Sequence, residues 1–297
     1  MVYVRDFRGY GESPPDFRWP GDSTLAISLV VNFEEGAEHS YPVDGIVETI
    51  GEFGPPDDRV RDVGMESVYE YAQRVGIWRM LELFRAKGVK STFFATATSL
   101  LLNPDAARRI VSDGHEICDH GYRWTELYRM SHDKELEEIR KSVEVIQKVT
   151  GKPPVGFYAR EPSENTLDIV QSFENFIYDS DAYNDDLPYY YGQNGFLILP
   201  YTPDVNDFHF LYPMNRFSTS TEFFEYMKDS FDVLYEESKR KPKMMSVGTH
   251  VRITGRPGRI KALARFIDYV KEHQGVWIAT REEIARFWLS NFPRLHA

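Results

Sequence analysis

Five stretches of this chain end strand-like apolar runs in side chains that can move protons, ligate cations or hold anions. TLAISLVVNF ends in Glu34 and Glu35, and HEICDH ends in Asp119 and His120, with Trp124 four positions beyond the histidine. VGFY runs through Tyr158 into Ala159, Arg160, Glu161 and Pro162. NFIYDSDAY carries Asp179 and Asp181 ahead of Asp185 and Asp186, and KMMSVGTH ends in Thr249 and His250 with Val251 and Arg252 behind it. Carboxylates and histidines brought together supply the base and acid of a hydrolysis, and arginines hold the oxygens on which charge develops. Convergence of the five on one rim is more informative than any single residue.

That convergence depends on the elements between them. Apolar runs of strand length alternate with amphipathic helical stretches. VGIWRMLELFRAKG places Ile77, Met80, Leu81 and Phe84 on one stripe and ends at Gly88. Asn103 and Pro104 have the cap and first-turn chemistry of a helix running to Gly114. Further helices are expected after Ser131, after Pro162, from about Thr219 to Glu237 and after Pro257, and Thr280 with Glu283 reads as a capping box. Repeated strand–helix units imply parallel strands joined by right-handed crossovers. The fold class is therefore α/β, a (β/α) barrel of about seven parallel strands with its chemistry at the strand ends.

The chain has 297 residues, 42% of them hydrophobic, and lacks a low-complexity linker, so a single catalytic domain over 1–297 is expected, with an extended N-terminal segment over about residues 1–23. The N-terminal residues lack the apolar core of a signal peptide, and no apolar run has spanning length, so neither export nor a membrane is expected. The one cysteine, Cys118, excludes an internal disulfide and suits the cytoplasm. A net charge of -11 disfavours a nucleic-acid partner. A small-molecule substrate is expected, and a homo-oligomer is compatible with this reading.

Several features have plain structural readings. Cys118 is more simply a buried inert thiol than a nucleophile. NDDLP reads as a turn, and the tyrosines of LPYYYG as packing rather than a sugar platform. GRPGR, Gly255 to Arg259, lacks the spacing and lysine of a phosphate loop, although Arg256 and Arg259 near a helix start could hold a carboxylate or ureide oxygen.

The order FEE, HGYRW, R-x-P, DSD and a late strand-end histidine resembles the polysaccharide deacetylase superfamily, whose fold is a distorted (β/α) barrel. VNFEEGAE, MESVYEYAQRVGIWR, GHEICDHGYRW, TGKPPVGFY, YDSDAYNDDLPYY, LPYTPDVNDFHF, FDVLYEE, KMMSVGTH and RITGRPGR are similar, over most of the chain, to its allantoinase-like branch, the bacterial purine-ureide allantoinases. Metal-dependent deacetylases of the superfamily hold a divalent ion with an aspartate and both histidines of an H-x-x-x-H segment. Here the acidic pair aligns as Glu34 and Glu35, the first histidine is His120, and Trp124 replaces the second. An indole N–H only donates and cannot ligate a cation. The resemblance thus implies no cofactor; a weakly held divalent metal such as zinc, on Glu35 and His120, is the alternative. Without a Lewis acid, a general base and fixed donors must activate water and polarise the carbonyl. This favours a cyclic ureide, with its better leaving group, over a plain N-acetyl amide.

The chain departs from the allantoinase pattern in Arg160-Glu161-Pro162, which follows the deacetylases, in Thr249 and Val251 around His250, and in Asp119 where serine is usual. The expected activity is hydrolysis of a non-peptide amide C–N bond, opening a cyclic ureide or related cyclic amide. Deacetylation of chitin-like or peptidoglycan-like N-acetylglucosamine chains is the alternative, and a catalytically inactive carbohydrate- or ligand-binding homologue is the third. Glu34 or Glu35 is the expected base, with His120 orienting it and His250 as acid or oxyanion donor. Trp124, Tyr158, Arg160, Asp181, Arg252 and Arg256 are the expected substrate contacts.

Overall fold

The computed structural model describes residues 5–46, 48, 60–192, 195–212, 214 and 216–293. The first apolar run becomes β1 (Leu25–Phe33), buried along its whole length, because a central strand of a parallel sheet is covered on both faces. Its alternate side chains serve two cores. Leu25, Ile27, Leu29, Val31 and Phe33 face the helices. Ala26 and Val30 face the barrel interior with Phe94, Cys118, Tyr178 and Tyr201.

From one edge of β1 the sheet continues in parallel through β2 (Thr92–Ala95), β3 (Glu116–Asp119), β4 (Gly156–Phe157) and β5 (Tyr178–Asp179). Beyond β5 lie β6 (Tyr189–Tyr191) and β7 (Phe196–Ile198), of which β7 pairs with β5. The other edge of β1 takes β8 (Lys243–His250), and β9 (Val276–Ala279) pairs with Leu25–Ser28. The expectation of parallel strands throughout needs one correction: β6 pairs antiparallel with β7, because LPYYYG forms the first arm of a hairpin. The α/β distorted barrel is thus a curled sheet ending at β6 and β8. Irregular chain bridges the gap, with the Met244 N–H donating to Asp186 O at 2.9 Å and the Gly248 N–H to Val205 O at 2.8 Å.

Helix ends follow the local signals. The stripe Ile77, Met80, Leu81 and Phe84 is buried, Asn103 accepts the Ala106 N–H, and both Thr219–Glu222 and Thr280–Glu283 form capping boxes. The helix Val63–Tyr71 runs on through a π turn, Ala72–Gly76, into Ile77–Lys87. At that turn Gly76 lies against the helical turn Val251–Thr254, and a Cβ on Gly255 would clash with Val251 O and Gly76 Cα. Two glycines therefore let the long helix seat directly on the turn that carries Arg252.

The described part of the N-terminal segment closes the other end of the barrel. Trp19 is buried, its indole N–H donates to Lys243 O at 2.9 Å, and Phe17 meets Trp19 and Trp288 edge-on. Arg281 enters the interior and donates to Ser180, Ser246 and the carbonyls of Leu199 and Pro200. Residues 1–4 and 294–297 of the expected single domain lie outside the described residues. Among those described, no helix is long and apolar enough to cross a membrane.

Candidate active site

Sheet register brings the predicted residues together. Asn32 lies opposite His250, Phe33 opposite Ala95, and Ala95 opposite Asp119, so the residues that follow leave one mouth at one level. Glu34 Oε1 stands 3.2 Å from His250 Nε2 and 3.2 Å from an Arg252 guanidinium nitrogen, and all three side chains are buried. Both Glu34 oxygens are buried, Oε1 against His250 and Arg252.

Glu35 is placed differently. Its Oε1 accepts the Arg252 N–H at 2.7 Å and its Oε2 accepts the Glu34 N–H at 3.2 Å, tying the end of β1 to the turn after β8. Burial pushes the Glu35 carboxyl up to about 7. Burial acts in the same sense on Glu34, but Arg252, His250 and His120 outweigh it and hold that carboxyl below its ordinary range. Two neighbouring glutamates are thus split into an ionised one and one that takes up a proton more readily.

His120 Nδ1 donates to Tyr158 O at 2.9 Å. A carbonyl only accepts, so Nδ1 carries a proton, and in the neutral ring Nε2 keeps a lone pair. Burial lowers the pKa of His120, and the ring stacks on Tyr158 at 5.1 Å. His250 is fixed by a residue the sequence did not single out. Its Nδ1–H donates to Asp207 Oδ1 at 2.7 Å and its backbone N–H to Asp207 Oδ2 at 2.8 Å, while the Thr254 hydroxyl donates to Oδ2 at 2.6 Å. Asp207 reaches His250 because the chain before it pairs with β8 at Asn206 and Gly248. A Cβ on Gly248 would strike Tyr201 and Asn206. Asp207 lies inside LPYTPDVNDFHF, but with nothing in its spacing to distinguish it from the turn aspartates around it.

Trp124 lies in the site between two guanidinium groups, Arg160 at 3.8 Å and Arg252 at 4.8 Å from its ring. Arg160 also donates to Glu48 at 2.9 Å and to Trp124 O at 3.2 Å. Two expected substrate contacts are elsewhere. Arg256 packs over Tyr71 at 3.7 Å rather than against the carboxylate–histidine cluster, because it sits one turn beyond Arg252. Asp181 lies toward the helix side of the sheet, where its carboxyl accepts the Ala159 N–H at 2.8 Å and meets Asp179. The plain readings hold for the rest. Asp185 caps a turn by accepting the Leu187 N–H, Tyr190 donates to Phe292 O, and burial pushes the Cys118 thiol up.

With this geometry in view, the chain can be compared with known proteins. A family model described as polysaccharide deacetylase matches residues 66–173. A Schizosaccharomyces pombe protein with a provisional polysaccharide deacetylase name is 37% identical, over 99% of this chain and 99% of its own length. The chain belongs to the polysaccharide deacetylase family. A crystal structure from Pseudomonas aeruginosa PAO1, described as a probable polysaccharide deacetylase, is 43% identical with a TM-score of 0.92, covering 99% of this chain and 100% of the other. A crystal structure of PuuE allantoinase is 41% identical with a TM-score of 0.93 and the same coverage. This polysaccharide deacetylase family member is therefore a hydrolase of carbon–nitrogen bonds other than peptide bonds, with an affinity to the allantoinase-like branch.

The divalent ion of the family's metal-dependent members does not fit this donor set. Trp124 supplies no ligand, the Arg252 cation lies beside Glu34, and Glu35 spends both oxygens on backbone N–H groups. Among the described residues no three His, Cys, Asp or Glu side chains converge as a metal ion would require.

Proposed function

We propose that this chain opens a cyclic ureide by hydrolysing a ring amide, with side chains rather than a metal ion supplying the chemistry. The observation that carries the reading is the Arg252 guanidinium 3.2 Å from Glu34, beside an indole where metal-dependent relatives have a second histidine. Similarity to PuuE allantoinase supports the same substrate class.

In this reading Glu34 is the base. It is ionised and buried against His250 and Arg252, whereas Glu35 is occupied in holding Arg252 and Glu34 in place. Water oxygen adds to the ring carbonyl as its proton passes to Glu34, with the His120 Nε2 lone pair orienting the water or a ring N–H. Arg252, steadied by Trp124, stabilises the oxyanion. Collapse breaks the ring C–N bond, and His250 Nε2 gives its proton to the departing nitrogen. Return of a proton from Glu34 to His250 across their 3.2 Å contact resets the pair. A small soluble substrate and a cytoplasmic setting belong to the same proposal.

The names of the relatives favour a second reading, deacetylation of an N-acetylated amino sugar; a Helicobacter pylori protein named peptidoglycan deacetylase is 26% identical over 86% of this chain and 97% of its own length. Purified protein assayed against allantoin, hydantoin and N-acetylglucosamine oligomers, with chelator and with added zinc, separates the two. Ring opening that persists in chelator is expected. Acetate release that requires zinc, with no action on either ureide, would overturn the proposal.

A further inference from the structure

The helix that seats on the Arg252 turn also reaches the end of β1. Between Val63–Tyr71 and Ile77–Lys87 it makes the π turn Ala72–Gly76, in which the Ile77 N–H donates to Ala72 O. Such a turn inserts a residue and resets which side chains share a face, and it is frequent at functional sites. Here one face of the helix meets the catalytic cluster at three points. Tyr69 lays its ring 5.6 Å from the Arg252 guanidinium, and Gly76 lies against Val251. Between them, Gln73 Nε2 donates to Glu35 O at 2.7 Å and to Ser99 O at 3.2 Å. The Ser99 hydroxyl donates to the same Glu35 carbonyl at 3.0 Å, and Asn103 Nδ2 donates to Gln73 O at 3.0 Å.

We infer that Gln73 is a positioning residue for the Glu34–Arg252 pair, acting through the Glu35 peptide. Glu35 follows Glu34 directly, and its carboxyl accepts the Arg252 N–H at 2.7 Å. The peptide that Gln73 holds therefore links the base to the oxyanion donor, and the π turn sets how closely the two approach. The hydrogen-bond balance of Gln73 favours this role over simple bracing. Its two donated bonds stand against Oε1, which is buried with no partner among the described residues. Turning the amide over would set that oxygen against two carbonyls, which only accept. An unmet buried acceptor costs about as much as two such bonds return. The inference rests on the reading of Glu34 as base, and not on the choice between a ureide and an N-acetyl amide.

Gln73→Met keeps the length of the side chain and removes both donors together with the unmet acceptor. Assayed on whichever of allantoin, hydantoin and N-acetylglucosamine oligomers the native chain hydrolyses, it should lower kcat ~10-fold with KM within ~2-fold. Arg252, His250 and His120 hold Glu34 ionised against its burial, so a looser Arg252 contact should move the acid limb of the kcat/KM profile to higher pH. The urea midpoint should barely change. Ser99→Ala, which removes the other donor to Glu35 O, should move kcat and the acid limb the same way by less, and it decides the matter if Gln73→Met does not fold. Unchanged kcat and an unmoved acid limb in either folded variant would overturn the inference; a lower urea midpoint as the sole change makes Gln73 a brace of the fold. Glu34→Gln is the control for the underlying reading. If it keeps native turnover, the base assignment fails and the inference with it, whereas an inactive Glu34→Gln beside a normal Gln73→Met overturns the inference alone.

Discussion

His250 is held against Asp207 by two hydrogen bonds, its Nδ1–H donating to Oδ1 at 2.7 Å and its backbone N–H to Oδ2 at 2.8 Å. This fixes both the tautomer and the plane of the ring, and it aims Nε2 at Glu34. A buried carboxylate behind a catalytic imidazole orients it and supports its charged form.

Asp207→Asn should therefore cost about two to four orders of magnitude in kcat. Asn can still accept from the backbone of His250, so folding should survive with a loss of about 1–3 kcal/mol from the weakened Thr254 and His250 bonds. Comparing kcat with KM checks the assignment. A rise in KM alone, with kcat preserved, would show that His250 does not act as the acid.

Arg252 is the largest charge opposing the burial penalty on Glu34. In Arg252→Met the Glu34 carboxyl should titrate higher, so the acid limb of the pH profile of kcat/KM should move to higher pH. Turnover at the optimum should fall about 10²–10³-fold through loss of the oxyanion donor. An acid limb that stays in place in this variant would show that Glu34 is not the base.

Asp119 gives a test on stability. Burial pushes its carboxyl from 3.8 up to about 7, so the folded chain holds this proton more tightly than the unfolded one. The stability it contributes is present below the unfolded value and is lost as pH rises from 3.8 through about 7. Asp119→Asn keeps an acceptor for the Gly121 N–H and the Ser142 hydroxyl and removes the buried charge. It should gain roughly 1–3 kcal/mol at pH 8 and little at pH 4, read by urea denaturation at both pH values. Equal effects at the two would mean that the carboxyl does not titrate in this range.

Trp124→His alone should not create a tight zinc site, because Arg252 and Arg160 flank that position and Arg252 lies beside Glu34. Adding Arg252→Ala removes the competing cation and should raise zinc affinity at least ~10-fold over the single variant by calorimetry. Tight stoichiometric zinc in the native chain would contradict the argument from charge.

Much of the fold was legible in order along the chain because its signals are local. The stripe Ile77, Met80, Leu81 and Phe84, the Asn103 cap and the Thr280–Glu283 box depend on neighbours a few residues away. The strand ends carrying Glu34, His120 and His250 were also legible, since parallel strands joined by helices must all point the same way. Which glutamate is the ionised one was not. Glu34 and Glu35 are adjacent and chemically identical, and only the Arg252 backbone and guanidinium, 217 residues on from Glu35, tell them apart.

The same limit explains the misplaced contacts. Asp181 and Arg256 are of the right type and stand near strand ends, but strand alternation and one helical turn carry them away from the cluster. Asp207 was missed for the converse reason. Its type and spacing match ordinary turn aspartates, and its partnership with His250 exists only because irregular chain pairs with β8 across the gap in the barrel. Composition and pattern determined the family of elements and the side-chain chemistry available to them. Long-range packing decided which donors meet which acceptors, because burial and charge act between groups that are close in space whatever their separation in sequence.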